Sequence, residues 1–172
     1  MTKIQLDERL SDFRRDLMNS IQHSNLAPKF YKAINMLRRE KNLLYIEKAE
    51  GNLKAVVKSQ TNPKKLEYAC SIKADGSFFC GTQNLYPCGG LRGTICKHII
   101  LTLIATVKEG YMKNDELIDW VKKTINNRPK LNKSEATSIF LHYKDVINGN
   151  LDAVKQIEWR PVEILPEDLM AL

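Results

Sequence analysis

Residues 80–105 read CGTQNLYPCGGLRGTICKHIILTLIA. Cys80, Cys88, Cys96 and His98 fall within nineteen residues, and the last two lead directly into the apolar run Ile99, Ile100, Leu101, Leu103 and Ile104. The spacing is Cys80-x7-Cys88-x7-Cys96-x-His98. Zinc takes four thiolate or imidazole ligands in a tetrahedron, and this stretch offers four. Cys80 is expected at the end of a strand, Cys88 in a loop, and Cys96 and His98 at a helix entry. Two ligands one residue apart can share a metal there, because the first lies in the entry turn and the second in the first helical turn. A helix N-terminus also favours the thiolate over the thiol.

Other readings of the same residues are weaker. Cys70 sits between Tyr68 and Ile72 in an alternating segment and is expected to be an ordinary core residue. A dithiol redox site would want Cys-x-x-Cys beside a parallel-sheet unit, and neither is present. A Cys96–His98 nucleophile pair is disfavoured because helical side chains two apart diverge. A catalytic zinc would keep an open position and a nearby base. Between Cys80 and His98 there is no Asp, Glu or second His, and His23 and His142 are isolated on predicted helices. The reading is a structural zinc site and no enzyme.

Working outward, residues 43–80 have the texture of strands around turns. Turn signals stand at Glu50-Gly51-Asn52, Thr61-Asn62-Pro63 and Asp75-Gly76. Leu66, Tyr68, Cys70 and Ile72 alternate with Glu67, Ala69, Ser71 and Lys73, the pattern of a half-buried strand. Asp75-Gly76 then suits a tight hairpin turn, and Ser77-Phe78-Phe79 returns the chain to Cys80. Upstream, Leu6, Leu10, Phe13, Leu17 and Ile21 mark one face of a helix over 5–24. A second helix is predicted from about Pro28 to Lys41, with Phe30, Ala33, Ile34 and Leu37 inward. Downstream, helices are predicted over 115–126, capped by Asn114, and over 134–147, with Ile139, Phe140, Tyr143 and Val146 inward. The helix that opens at Cys96 is apolar nearly all round and therefore buried on most sides.

The expected class is α+β: a small antiparallel sheet with a ββα zinc site, wrapped by N- and C-terminal helices. One domain spans 1–150, divided into an N-terminal helical region over 1–42, a zinc-binding core over 43–110 and helices over 111–150. Residues 151–172 form an acidic C-terminal arm.

A chain of 172 residues, 43% hydrophobic, can bury a core without disulfides. The opening MTKIQLDERL lacks the apolar centre of a secretory signal, and no apolar run is long enough to span a bilayer. A cytoplasmic protein with reduced cysteines is therefore expected. Residues 1–148 carry 25 basic and 15 acidic groups, a charge of +10, whereas 149–172 carry 2 and 5. Such a body favours acidic partners, nucleic acid among them. Lys54, Lys58, Lys64, Lys65, Lys73, Arg92 and Lys97 lie near the proposed site, and Trp159 is a candidate anchor for a protein partner. No small-molecule substrate is indicated, and no phosphate-binding Gly-x4-Gly-Lys-Ser/Thr loop occurs.

A strand hairpin, a cysteine-bearing loop and Cys-Lys-His-Ile at the start of an apolar helix (residues 96–99) resemble the SWIM-type zinc finger over roughly residues 53–106. That family usually opens with Cys-x-Cys, whereas Thr82 stands where its second cysteine would fall. Either Cys80 and Cys88 form the first ligand pair across a longer loop, or Cys70 replaces one of the proposed ligands. The first is favoured because Cys70 precedes the hairpin turn. The resemblance implies a DNA-binding, recombination-associated accessory protein. As an alternative it implies an adaptor for a larger partner such as an AAA-type ATPase or a ubiquitin-pathway component, since SWIM modules occur in both settings.

Overall fold

A computed structural model describes residues 3–38, 41–149 and 158–159. The antiparallel sheet comes from β1 (Leu43–Ala49), β2 (Asn52–Lys58), β3 (Glu67–Lys73) and β4 (Phe78–Thr82), joined as successive hairpins. A two-residue strand, β5 (Glu158–Trp159), pairs with β1, so the order is β4-β3-β2-β1-β5. The rest of the expected arm, and the Trp159 side chain, lie outside the described residues. At the β3–β4 turn Gly76 has φ +86°, and a Cβ there would stand 2.5 Å from the backbone of Lys123. Glycine thus supplies both the turn and the seat for the neighbouring helix.

Among the described residues five helices surround it: α1 (Lys3–Ser20), α2 (Leu26–Arg38), α3 (Lys97–Glu109), α4 (Asn114–Thr124) and α5 (Lys133–Ile147). The α+β class and the helical wrapping are as the sequence indicates, with shifted bounds. Helix α1 stops at Ser20 rather than Ser24, because the amides of His23 and Leu26 enter turns onto Ile21 and His23 carbonyls. Helix α2 starts at Leu26, so Pro28 sits within its first turn, where a missing N–H costs nothing. Asn114 does not cap α4, which is entered from Lys113; its amide instead donates to Asp16 at 3.2 Å and ties α4 to α1. The cap of α5 is Asn132, whose Oδ1 accepts from the Glu135 amide at 3.0 Å.

Helix α3 is the axis of the fold. His98 to Lys108 are all buried, and Gly110 closes the helix in the left-handed conformation. Its two threonines are tolerated because each hydroxyl bonds back one turn: Thr102 to the His98 carbonyl at 3.0 Å and Thr106 to the Thr102 carbonyl at 2.8 Å. Around α3 gather Leu10, Phe13 and Leu17 of α1, Phe30 and Met36 of α2, Leu117 and Val121 of α4, and the Leu53, Ala55, Cys70 and Ile72 face of the sheet.

The other sheet face corrects an expectation. Strand β3 is not half-buried, since Ala69 and Ser71 are as enclosed as Cys70 and Ile72. Helix α5 packs there, placing Ala136, Ile139 and Phe140 against Tyr45, Val56, Ala69 and Phe79. The small residues that read as an outward face are what let a helix approach.

Candidate metal centre

Strand β4 carries Cys80 on the α3 side, next to Cys70 across the ladder. Cys80 is therefore within the strand, not at its end. The chain then turns back along the sheet edge: the Thr82 amide donates to the Tyr86 carbonyl and the Cys88 amide to the Cys80 carbonyl, both at 2.9 Å. This return brings the Cys88 sulfur under β4, and the Gly90 amide donates to it at 3.4 Å. A short 3-10 turn, Gly89–Leu91, carries the chain on to Cys96, the N-cap of α3, and so to His98 in its first turn.

The four side chains meet in the interior. One ligand atom from each of Cys80, Cys88, Cys96 and His98 lies within 4.8 Å of the others, and all four residues are buried. His98 Nδ1 stands 3.6 Å from Cys80 Sγ and 3.4 Å from Cys88 Sγ. Tetrahedral bonds of ~2.3 Å to sulfur and ~2.0 Å to nitrogen place N and S about 3.5 Å apart. The donor set and its spacing fit a tetrahedral cation. Cys70 is outside this group; its sulfur lies 3.6 Å from the Thr102 hydroxyl in the core.

The electrostatics point the same way. Burial pushes the Cys80 and Cys96 thiols well up. Hydrogen bonds from Cys80 and Cys96, together with His98, pull the less enclosed Cys88 far down. Further negative charge in so dry an interior needs a cation to balance it. A dication would supply it and release the remaining thiol protons.

Residues around the cluster hold it in place. The Tyr68 ring stacks on His98 at 4.1 Å between centroids, tilted by 20°. Lys29 of α2 donates its ammonium to the Ile95 carbonyl at 3.1 Å; burial lowers its pKa on balance, with the charge of Cys96 and Cys88 pulling it back up. Asn25 donates to the Arg92 carbonyl at 3.4 Å, so the α1–α2 junction grips the loop before Cys96. His98 Nε2 finds no acceptor among the described residues.

Lys29 was missed by sequence reasoning. Its signal is position: Leu26, Lys29, Ala33 and Met36 fall at i, i+3, i+7 and i+10, which puts a lysine on the edge of an apolar stripe.

The basic residues singled out from sequence do not form one patch. Lys54 pairs with the buried Glu47 at 3.5 Å and Lys73 with Glu135 at 2.9 Å. Lys97 does not project freely: its ammonium donates to Gln60 at 2.7 Å. Lys58 is half-buried, whereas Lys64, Lys65 and Arg92 are exposed. His23 is exposed, and His142 lies 6.0 Å from the Tyr45 ring as a packing residue. Among the described residues no helix is long and apolar enough to cross a membrane. Comparison with protein-family models, with curated proteins and with solved structures finds no match.

Proposed function

We propose that this chain is a non-catalytic zinc module of the SWIM type, with Cys80, Cys88, Cys96 and His98 as ligands, serving as a DNA-binding, recombination-associated accessory protein. The observation that carries the reading is the buried Cys3His cluster, which fastens the edge loop to the N-terminus of the central helix. Three thiolates and an imidazole suit zinc, and four protein ligands leave no position for substrate, as in structural sites. The zinc would supply folding energy by locking residues 80–98 together; the chain's own residues then present the surrounding surface.

The charge of +10 over residues 1–148 supports a polyanionic partner. Titration of a labelled DNA by fluorescence anisotropy at several salt concentrations tests this. The expected result is affinity that falls steeply as salt rises. Absence of binding even at low salt would refute the DNA reading and favour the adaptor. That second reading, docking of a partner such as an AAA-type ATPase or a ubiquitin-pathway component, draws on Leu141 and Ile147, which α5 leaves 57% and 60% exposed.

A further inference from the structure

Two hollows open on the α5 side of the sheet, on the opposite face from the cysteine cluster. The first, about 450 Å³, lies at the N-terminus of α5 and is lined by Lys73, Arg128, Lys130, Lys133 and Glu135. The second, about 340 Å³, runs beside the same helix between Lys64, Lys65 and Lys144. Together they are bordered by seven basic residues against two acidic ones, Glu135 and Glu67. Elsewhere the balance differs: the hollow between α1 and α4 sets Arg9 and Lys113 against Asp12, Asp115 and Glu116. The two hollows beside α5 thus carry a net positive lining that the α1–α4 hollow lacks.

These cations are available. Lys73 is taken by Glu135, but Arg128, Lys130, Lys133, Lys64, Lys65 and Lys144 form no ion pair among the described residues. From Lys133 to Lys144 along α5 is about 16 Å at 1.5 Å per residue, a span that covers several successive phosphates. Leu131, which lines the first hollow, packs so closely on Gly81 that a Cβ there would meet it at 2.7 Å. The carbonyl of Tyr86 borders the same spot, and the Tyr86 ring is 70% exposed. A basic channel beside an exposed aromatic is how single-stranded nucleic acid is held: charges track the backbone and a ring stacks a base. A stacking ring can engage only an unpaired base, which favours the single strand.

We infer that the α5 face is a track for single-stranded nucleic acid, its phosphates taken by Lys64, Lys65, Arg128, Lys130, Lys133 and Lys144 and a base stacked on Tyr86. This rests on the nucleic-acid reading above and assigns its surface, which the sequence had placed around the zinc loop. A metal held by the cluster would contribute at a distance. Cys88 anchors the return loop that carries Tyr86 and that lines the second hollow through Gln83 and Leu85.

The test uses the full chain and a labelled mixed-sequence single strand of about 16 nucleotides, with the matching duplex as comparison. The Lys130→Glu/Lys133→Glu variant should bind the single strand at least tenfold more weakly. Its plot of log affinity against log salt should be flatter by about 1.4, two cations at ~0.7 each. Tyr86→Ala should weaken single-strand binding by roughly fivefold or more. Lys113→Glu, at the entry to α4, should bind like the parent, and unchanged thermal unfolding of the exposed variants excludes misfolding. If no probe binds the parent chain, the nucleic-acid reading falls and the track with it. If the parent binds but Arg92→Glu abolishes binding while Lys130→Glu/Lys133→Glu does not, the reading stands and the track is wrong. Preference for the duplex with Tyr86→Ala neutral overturns the single-strand assignment. Displacement of the probe by poly-glutamate at equal charge concentration would show an acidic-protein site instead.

Discussion

Replacing Lys29 by Met tests whether the cluster holds a net anion, as three thiolates, a neutral imidazole and a dication would. The substitution keeps the aliphatic stem on the α2 stripe and removes the charge beside Ile95, Cys96 and Cys88. A contact pair of unit charges is worth about 4 kcal/mol at an effective dielectric of ~20. Lys29 is half-buried and bonded to a carbonyl rather than to a sulfur, so solvent screening leaves roughly 1–2 kcal/mol. That corresponds to zinc held about 5- to 30-fold more weakly. Competition against a chromogenic chelator at neutral pH measures it directly, with Lys29→Arg expected to retain most of the affinity. Equal zinc affinity in the parent and Lys29→Met would refute the claim that the ammonium balances the site.

Tyr68→Leu should lower stability of the metal-loaded protein by about 1 kcal/mol through loss of stacking on His98, while Tyr68→Phe keeps most of it; thermal unfolding separates the two. Burial alone would raise the Glu135 carboxyl, but hydrogen bonds from Lys73 and Asn52 hold it below its usual value. Glu135→Gln should therefore cost about 1–2 kcal/mol near neutral pH. Because the folded carboxyl titrates low, this contribution is present above the unfolded value of about 4.3 and is lost as pH falls through the folded one. Denaturant midpoints of both proteins across pH should converge in acid, and a constant gap would contradict the assignment. Ala69→Leu should destabilise by about 1–3 kcal/mol by overpacking beneath α5, whereas on an open sheet face it would be near neutral.

Much of this architecture is legible in the residues themselves. The three- and four-residue spacing of Leu10, Phe13 and Leu17 gives α1 its buried face, and Asp75-Gly76 gives the hairpin. The all-round apolar sequence after His98 gives the central helix. The meeting of Cys80, Cys88, Cys96 and His98 was legible in local spacing because three of them lie in one loop and one helix entry. What stayed hidden depends on long-range packing. Ala69 and Ser71 carry the same letters whether they face water or a helix, so the second core under α5 left no periodic signature. Tertiary neighbours likewise decide which lysines remain free: Lys54 finds a carboxylate at Glu47 across the hairpin and Lys73 one at Glu135 on α5. Conversely nothing in the spacing of Arg128, Lys130 and Lys133 singles them out, and only the fold sets them beside Lys73.

Metal analysis of the purified chain bears on the central claim most directly, because everything placed around residues 80–98 presumes a bound ion. The expected result is about one zinc per chain, the content of one four-ligand site, absent from the Cys96→Ser variant and retained in Cys70→Ser. Chelation should unfold the 80–98 segment, seen as loss of amide protection there. A folded chain that contains no zinc and does not change when zinc is added would contradict the account.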